Sequence, residues 1–233
     1  MRTLIIIPAY NEEDCLEHTL SELQSYIKEN GKHSYDFIIV NDGSSDSTAQ
    51  VCRDNAYPML DLPINTGLSS AFQTGMKYAV SHNYDYAIQF DADGQHDPKY
   101  LDQMVDTALD GGADIVIGSR FIGKKKHRSM RMLGSVFIVG MIRLTSGQRV
   151  TDPTSGMRLF ARDLIERFAR DNNYAPEPDT IAFAIRNGSK VVEVPVTMRD
   201  RYAGQSYLSA AKSIIYMIRM GLSILFFQWV RKA

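Results

Sequence analysis

Asp91 and Asp93 are the residues of this sequence whose type and spacing most clearly suggest chemistry. They stand two positions apart and follow the apolar run Tyr86–Phe90. In an extended chain, side chains two positions apart point to the same side, so both carboxylates can reach one hard cation, and Gln95 continues this alternation. Oxygen ligands of this kind suit Mg²⁺ or Mn²⁺, which keep coordination positions open for substrate phosphates. The spacing therefore predicts a divalent-metal site formed by Asp91, Asp93 and Gln95.

Two other interpretations of the same segment compete with the metal site. In an EF-hand calcium loop the glycine would come later than Gly94, a glutamate would replace Asp102 at the twelfth position, and a helix rather than a strand would precede the loop. In a purely structural role, the aspartates would only end the strand and cap the following helix. The first of these fits the sequence poorly, and the second stays open.

The elements that must position these carboxylates alternate between strand-like and helix-like segments over residues 1–118. The predicted strands are Leu4–Ile7, Phe37–Val40, Pro58–Leu62, Tyr86–Phe90 and Ile115–Gly118. The first predicted helix is capped by Asn11, and its buried face carries Leu16, Leu20, Leu23 and Ile27. The other predicted helices are Ser47–Asn55, Ser69–Ser81 and Pro98–Leu109. Alternating elements with nearly continuous apolar strands predict an α/β fold, a mostly parallel sheet covered by helices on both faces. Its ligand should lie at the carboxyl ends of the strands.

The regular alternation stops after residue 118. We predict, in order, an apolar helix Met130–Thr145, a loop Thr151–Arg158, helices Arg162–Asp171 and Pro178–Asn187, a strand Val191–Val196 and a last helix from Leu208. The expected organisation is one domain over residues 1–207, with halves at 1–118 and 119–207. An apolar C-terminal helix follows over residues 208–233.

Polar residues follow three of the predicted strands, in the clusters Tyr10-Asn11-Glu12, Asp42-Gly43-Ser44 and Asp91-Ala92-Asp93. The first of these turns has no glycine-rich cradle for phosphate, which disfavours a dinucleotide dehydrogenase and a P-loop enzyme. Asp42 ends the second strand, where α/β nucleotide-binding folds often present a carboxylate to ribose or base.

The formal net charge of −1 conceals an uneven distribution along the chain. Residues 1–117 carry a net charge of −13, residues 118–170 carry +9, and residues 171–233 carry +3. An acidic half that holds a cation and a basic segment that meets an anion would explain this division, although solvated surface charge is an alternative. The basic run Lys124–Arg128 lacks interleaved aromatic residues and any recognition motif, so we expect no nucleic-acid partner.

Five motifs occur in a characteristic order. They are Ile7-Pro8-Ala9-Tyr10-Asn11-Glu12, Val40-Asn41-Asp42-Gly43-Ser44-Ser45-Asp46-Ser47-Thr48, Asn65-Thr66-Gly67-Leu68, Asp91-Ala92-Asp93-Gly94-Gln95-His96 and Gly118-Ser119-Arg120. Over about residues 3–207 the sequence resembles family 2 glycosyltransferases, and within them the dolichyl- and polyprenyl-phosphate sugar synthases. The resemblance implies a GT-A fold, a nucleotide-diphosphate sugar donor, a divalent cation, and inversion at the anomeric carbon of the sugar.

The resemblance also implies roles for individual residues. On the donor side it places Pro8, Tyr10, Glu12, Asp42 and Asp91 around the nucleotide sugar, with Asp91, Asp93 and Gln95 holding the metal on the diphosphate. On the acceptor side it implies that the lipid phosphate is bound by Arg120, Arg131, Ser135, Arg201 and Ser206. Asp93, Arg120 and Arg131 would then act in catalysis.

The acceptor side also departs from the pattern of the synthases. Tyr207 replaces a basic residue, Met157 replaces an aromatic one, and the segment from Pro176 to Asp179 differs from their acidic motif. A phosphate acceptor, with a second pKa of about 6, attacks without an enzyme base, whereas a sugar hydroxyl on a lipid-linked or polysaccharide acceptor requires one. Glu177 or Asp179 could supply that base, or could simply cap a helix.

The segment Ile214–Val230 is apolar but contains Arg219. As a helix it would reach about 25 Å, which is short of a bilayer core of about 30 Å. We therefore predict a cytoplasmic protein that sits on the inner face of a membrane through this helix, with Met130–Thr145 as a second contact. The alternative is that these helices bury against each other or against a second subunit. A catalytically silent nucleotide- or metal-binding module is the remaining class of function.

Overall fold

The computed structural model describes residues 1–123, 130–171, 174–200, 202 and 210–226. Its strands are β1 (Arg2–Ala9), β2 (Ser34–Asp42), β3 (Met59–Leu62), β4 (Tyr86–Gln89), β5 (Ile115–Ser119), β6 (Arg158–Ala161) and β7 (Val191–Pro195). Its helices are α1 (Leu16–Glu29), α2 (Thr48–Asp54), α3 (Leu68–Ser81), α4 (Leu101–Gly111), α5 (Met130–Ser146), α6 (Arg162–Arg170), α7 (Pro178–Arg186) and α8 (Ala210–Leu225).

The strands form one sheet in the order β3-β2-β1-β4-β6-β5-β7. Strands β1 to β4 are parallel to their neighbours in this group, as are β5 and β7. The interior strand β1 shows why the sheet needs helices on both faces, because Leu4 and Ile6 enter one hydrophobic core and Ile5 and Ile7 enter the other. The predicted mostly parallel α/β sheet is confirmed.

Strand β6 was not predicted, since Arg158 was assigned to a loop and Arg162 already begins a helix. It runs antiparallel between β4 and β5 and joins the two halves of the sheet. Only four residues long, it passes directly into α6 without a turn residue, and it opens with a buried arginine. These features hide it from a search for apolar alternation.

The start of α1 also differs from the prediction. Asn11 adopts a left-handed conformation with φ of 55° and does not cap the helix, which begins at Leu16. The Asn11 side-chain oxygen instead accepts a hydrogen bond of 2.8 Å from the Ser45 amide, and the Asn11 amide donates to the Ser44 hydroxyl at 3.0 Å. Asn11 therefore ties the turn after β1 to the turn after β2.

Helices α5 and α8 pack closely against each other. Gly134 of α5 lies against the side chain of Met217, and Gly221 of α8 lies against the ring of Phe137, so a side chain at either glycine would collide. Ile224 is fully buried on the inner face of α8. Among the described residues, no helix combines the length and the apolar content needed to cross a bilayer.

Candidate active site

A cavity of about 420 Å³ opens at the carboxyl ends of β1, β2 and β4, where the sequence predicts a ligand. Its volume falls within the range of small-molecule sites in proteins. It is lined by Pro8, Ala9, Tyr10, Glu12, Asp42, Asn65, Gly67, Leu68, Ala71, Asp91, Ala92 and Asp93. All five residues predicted to surround a nucleotide sugar are in this set, so the fold brings them together.

Asp42 binds the turn that precedes α3 and that forms one side of the cavity. It is only 3% exposed, and one of its carboxylate oxygens accepts hydrogen bonds of 2.8 Å from both the amide and the hydroxyl of Thr66. The other oxygen accepts a bond of 2.7 Å from the amide of Gly67. Gly67 has a φ of 89°, which favours glycine at this turn. The carboxylate is thereby held in one orientation at the edge of the cavity.

The segment that carries Asp91 and Asp93 is a turn and not an extended chain. Gly94 has a φ of 77°, and the amide of Gln95 folds back to donate to the Asp93 carboxylate at 3.0 Å. The Gln95 side chain donates to the carbonyl of Arg199 at 3.4 Å and does not line the cavity. The alternation argument is therefore wrong for Gln95, whose place in a metal site stays a prediction.

His96 contacts Asp91 through both its ring nitrogens, although no sequence pattern predicts a role for it. Its ring is 2% exposed, and Nδ1 accepts a hydrogen bond of 2.9 Å from the Asp91 amide. Since Nδ1 is the acceptor, the proton of the neutral ring is on Nε2, which lies 3.5 Å from the Asp91 carboxylate. On another side the backbone of Gly156 lies so close to this carboxylate that a Cβ would collide with it.

The donor set in the cavity fits a divalent cation that is shared with a substrate. Within the described ranges, no cluster of three or more His, Cys, Asp or Glu residues could hold a metal by itself. Asp91 and Asp93 line the same cavity, and Mg²⁺ commonly takes one or two carboxylates and completes its shell with water and substrate phosphates. These two residues could therefore hold Mg²⁺ or Mn²⁺ on a diphosphate.

Arg120, predicted to bind the acceptor phosphate, interacts electrostatically with Asp91. Its guanidinium binds Asp152 through two hydrogen bonds, of 2.7 Å from Nε and 2.8 Å from Nη2, and its amide donates to the same carboxylate at 3.0 Å. The Asp152 side chain is fully buried, and its amide is held at 2.8 Å by Glu193. The pairing with Asp152 raises the pKa of Arg120 above its ordinary value. Asp152, which had no assigned role, therefore orients Arg120.

Glu177 and Asp179 lie at the start of α7, where they bind side chains of α8. Tyr216 donates a hydrogen bond to Glu177, and Ser223 donates to Asp179 at 2.6 Å. Glu177 occupies the N-cap position, but its side chain makes no capping bond, so the capping alternative is wrong for this residue. Burial raises the pKa of Glu177 above its ordinary value, and the hydrogen bond from Tyr216 opposes that shift. The two carboxylates therefore anchor α8.

The remaining acceptor-side predictions are only partly placed by the structure. Ser135 is buried on α5, and Arg131 lies on the same helix, although its side chain is not described. Arg201, Ser206, Tyr207 and the basic run Lys124–Arg128 lie outside the described residues.

The sequence model of the family described as "Glycosyl transferase family 2" matches residues 4–168. The chain belongs to this family. The match covers β1 to β6, and thus every residue that lines the cavity. The earlier resemblance to family 2 glycosyltransferases is confirmed.

This glycosyltransferase is similar to curated proteins and solved structures along almost its whole length. It is 30% identical to the undecaprenyl-phosphate mannosyltransferase of Micrococcus luteus, over 96% of this chain and 95% of that one. It is 29% identical to the UDP-N-acetylglucosamine–dolichyl-phosphate N-acetylglucosaminyltransferase of Methanococcus voltae, over 82% and 83%. The mannosyltransferase PcManGT of Pyrobaculum calidifontis, solved with GDP-mannose and Mn²⁺, aligns with a TM-score of 0.66 at 18% identity, over 100% of this chain and 65% of that one. The shared GT-A fold is confirmed.

Proposed function

We propose that this glycosyltransferase transfers a hexose, with inversion, from a nucleotide-diphosphate sugar to a polyprenyl phosphate at the inner face of a membrane. The donor would occupy the cavity between Tyr10, Asp42 and Asp93. The observation that carries the choice of acceptor is that both candidate general bases, Glu177 and Asp179, are already bound by hydroxyl groups of α8. The names of the two relatives, which both specify a polyprenyl- or dolichyl-phosphate acceptor, support the same choice.

The reaction requires charge stabilisation more than proton transfer. An oxygen of the acceptor phosphate forms the new bond to the anomeric carbon, and the bond from that carbon to the diphosphate breaks with its electron pair on the diphosphate. A divalent cation, when bound, neutralises the charge that develops on this leaving group. Asp91 and Asp93 would hold that cation, while His96 and Gly156 keep Asp91 in place.

The acceptor needs no base because its phosphate is already largely deprotonated near pH 7, with a second pKa of about 6. A sugar hydroxyl would instead need a carboxylate that can reach it. Asp179 is 5% exposed and hydrogen-bonded to Ser223, and Glu177 is partly buried and hydrogen-bonded to Tyr216. Both carboxylates are thus engaged within the fold, which favours the phosphate over the hydroxyl acceptor.

The variant Glu177→Gln tests this distinction. Glutamine keeps an acceptor for the Tyr216 hydroxyl but cannot take up a proton, so we expect transfer within about threefold of the wild type. A general base contributes about 10²- to 10⁴-fold, so a loss of that size in steady-state kinetics would favour the hydroxyl acceptor. Because burial disfavours the ionised form of Glu177, the variant should unfold at an equal or higher temperature at pH 7. That measurement controls for misfolding.

A lipid surface is the second partner that we propose. Four exposed apolar side chains lie along one side of α8 and just after its last residue, and three more lie on α5. We term these seven side chains the α5/α8 apolar surface. Its members are Val136, Phe137, Leu144, Ile215, Ile218, Leu222 and Phe226. Arg143 and Arg219 are exposed on the same two helices, which suits anionic headgroups. Ser135, a predicted contact of the acceptor phosphate, is next to Val136 on α5.

The double variant Ile218→Glu, Leu222→Glu is expected to weaken vesicle binding at least about tenfold, because both apolar side chains would become charged at the lipid interface. The measurement is co-sedimentation with phosphatidylcholine vesicles that contain or lack phosphatidylglycerol. Leu109→Glu on α4, also exposed, is the control and should bind as the wild type does. If the double variant binds vesicles normally but has a smaller molecular mass in solution than the wild type, measured by light scattering, the surface is a contact between subunits.

The donor half of the proposal is tested by calorimetry on the purified protein. UDP and GDP are titrated with and without Mn²⁺, followed by a panel of their hexose conjugates. We expect one nucleoside diphosphate to bind in a Mn²⁺-dependent manner and one of its sugars to be turned over. Binding of a nucleoside diphosphate without turnover of any of its sugars would favour the silent binding module. If no nucleotide binds under any of these conditions, the proposed glycosyltransferase function is contradicted.

A further inference from the structure

The chain segment after β7 crosses the loop that carries Asp91 and Asp93. The amide of Arg199 donates to the carbonyl of Gln95 at 3.0 Å, and the Gln95 side chain donates back to the Arg199 carbonyl at 3.4 Å. The amide of Tyr202 donates to the carbonyl of Asp93 at 3.3 Å. The loop is thus joined, along two of its peptides, to a segment about a hundred residues further along the chain.

The side chain of Arg199 adds a second connection between the same parts. Its guanidinium donates two hydrogen bonds to Glu22 of α1, of 2.7 and 2.9 Å, and lies 3.2 Å from the carboxylate of Asp97 at the far end of the loop. Arg199 therefore links α1, the aspartate loop and the segment after β7. Charge-assisted bonds of this geometry are stronger and more specific in direction than neutral ones.

A third contact completes the arrangement. The ring of Tyr202 stacks on the ring of His18 in α1, with centroids 4.6 Å apart, while its Cβ lies beside Gly94 at the tip of the loop. On the inner side, the hydroxyl of Thr19 donates to the carbonyl of Ala92 at 2.9 Å. The loop is consequently supported from α1 on one side and from Arg199 and Tyr202 on the other.

We propose that Arg199 is a positioning residue for the metal-binding loop, and that it holds Asp91 and Asp93 in the arrangement that binds a divalent cation with the donor diphosphate. This inference rests on the proposed function. Arg199 contacts neither the cation nor the substrate. Its main chain fixes Gln95, and its guanidinium, which the variants below change, joins the carboxylate of Asp97 to Glu22 of α1, so that the loop is already ordered when the cation binds.

The test compares Arg199→Met and Arg199→Lys in the full chain with Arg2→Met. Arg2, the first residue of β1, is the matched control, because its side chain is 50% exposed against 44% for Arg199 and it forms an ion pair of 3.0 Å with Asp36 of β2. The first readout is the Mn²⁺ concentration that half-saturates binding of UDP or GDP, measured by calorimetry. The second is amide hydrogen exchange of residues 91–97 without metal.

Removing a partner behind a metal ligand commonly changes metal affinity by about 10- to 100-fold. We expect Arg199→Met to raise the half-saturating Mn²⁺ concentration about tenfold and to accelerate exchange of the loop, with kcat at saturating Mn²⁺ nearly unchanged. Arg199→Lys should recover part of both effects, and Arg2→Met should show neither. If Arg199→Met unfolds more easily but keeps the Mn²⁺ dependence of the wild type, its role is structural only and the inference is overturned. If the wild type itself shows no Mn²⁺ dependence, the proposed function fails instead.

Discussion

Replacing Asp93 with asparagine is expected to lower kcat/KM for sugar transfer by about 10³-fold, the upper range for loss of an electrostatic stabiliser in an active site. Asp93 is 3% exposed and lines the cavity together with Asp91. The amide has nearly the same shape and keeps an oxygen for the Gln95 amide, which Asp93 now binds at 3.0 Å. It removes the negative charge that would hold a cation, so the loss should fall on metal binding and not on folding.

The measurement pairs steady-state kinetics with calorimetry of nucleoside diphosphate binding at several Mn²⁺ concentrations. Asp85→Asn is the control, because Asp85 is exposed and its carboxylate accepts a hydrogen bond from the amide of Arg2 at the opposite end of the sheet. It should behave as the wild type does. Mn²⁺-dependent binding that survives in Asp93→Asn would contradict the metal assignment, even if transfer is slow.

The second large effect is a loss of unfolding free energy, which we expect on replacing Asp152 with alanine. Its fully buried carboxylate accepts three hydrogen bonds from Arg120. Removing one partner of a buried ion pair costs about 3–5 kcal/mol because the other charge is left without compensation. Arg120 keeps some access to solvent, so for Asp152→Ala we expect a loss of unfolding free energy at the lower end of that range. Urea unfolding measures it.

A matched variant and a functional readout separate stability from positioning. Glu166→Ala breaks the partly exposed ion pairs with Arg162 and Arg170 on α6 and should change the unfolding midpoint very little. If Asp152 orients Arg120 toward the acceptor, Asp152→Asn should raise KM for polyprenyl phosphate more than it raises KM for the donor. Equal changes in both constants would show that Asp152 stabilises the fold without orienting Arg120.

The sequence predicts the donor half of the fold well because its signals are local. The strands β1, β2, β4 and β5 are buried on both faces and appear as short apolar runs, and polar residues follow directly at their carboxyl ends. Parallel strands bring those ends to one edge of the sheet, so Tyr10, Asp42 and Asp91 had to be close. Strand β6 escaped prediction because its place is decided by partners in β4 and β5 and not by its own four residues.

The half of the fold from residue 119 onward depends on contacts between residues that are far apart in the sequence, which no local pattern predicts. Glu177 is bound by Tyr216, Asp179 by Ser223, and Arg199 by Glu22, which lies 177 residues earlier in the chain. Composition and spacing show that these residues are acidic, hydroxylic or basic, but not which of them meet. The sequence therefore predicts a general base or helix caps at these two carboxylates, and their hydrogen bonds to α8 emerge only in the folded chain.

Transfer to a lipid phosphate, rather than to a sugar hydroxyl, can be tested by direct competition between the two acceptors. The purified enzyme, with Mn²⁺ and the nucleotide sugar that it binds, is offered a polyprenyl phosphate and a lipid-linked saccharide in the same reaction, and the products are identified by mass spectrometry and NMR. We expect a polyprenyl phosphate hexose whose anomeric configuration is opposite to that of the donor. A product with the sugar attached to a saccharide hydroxyl, and none on the phosphate, would contradict it.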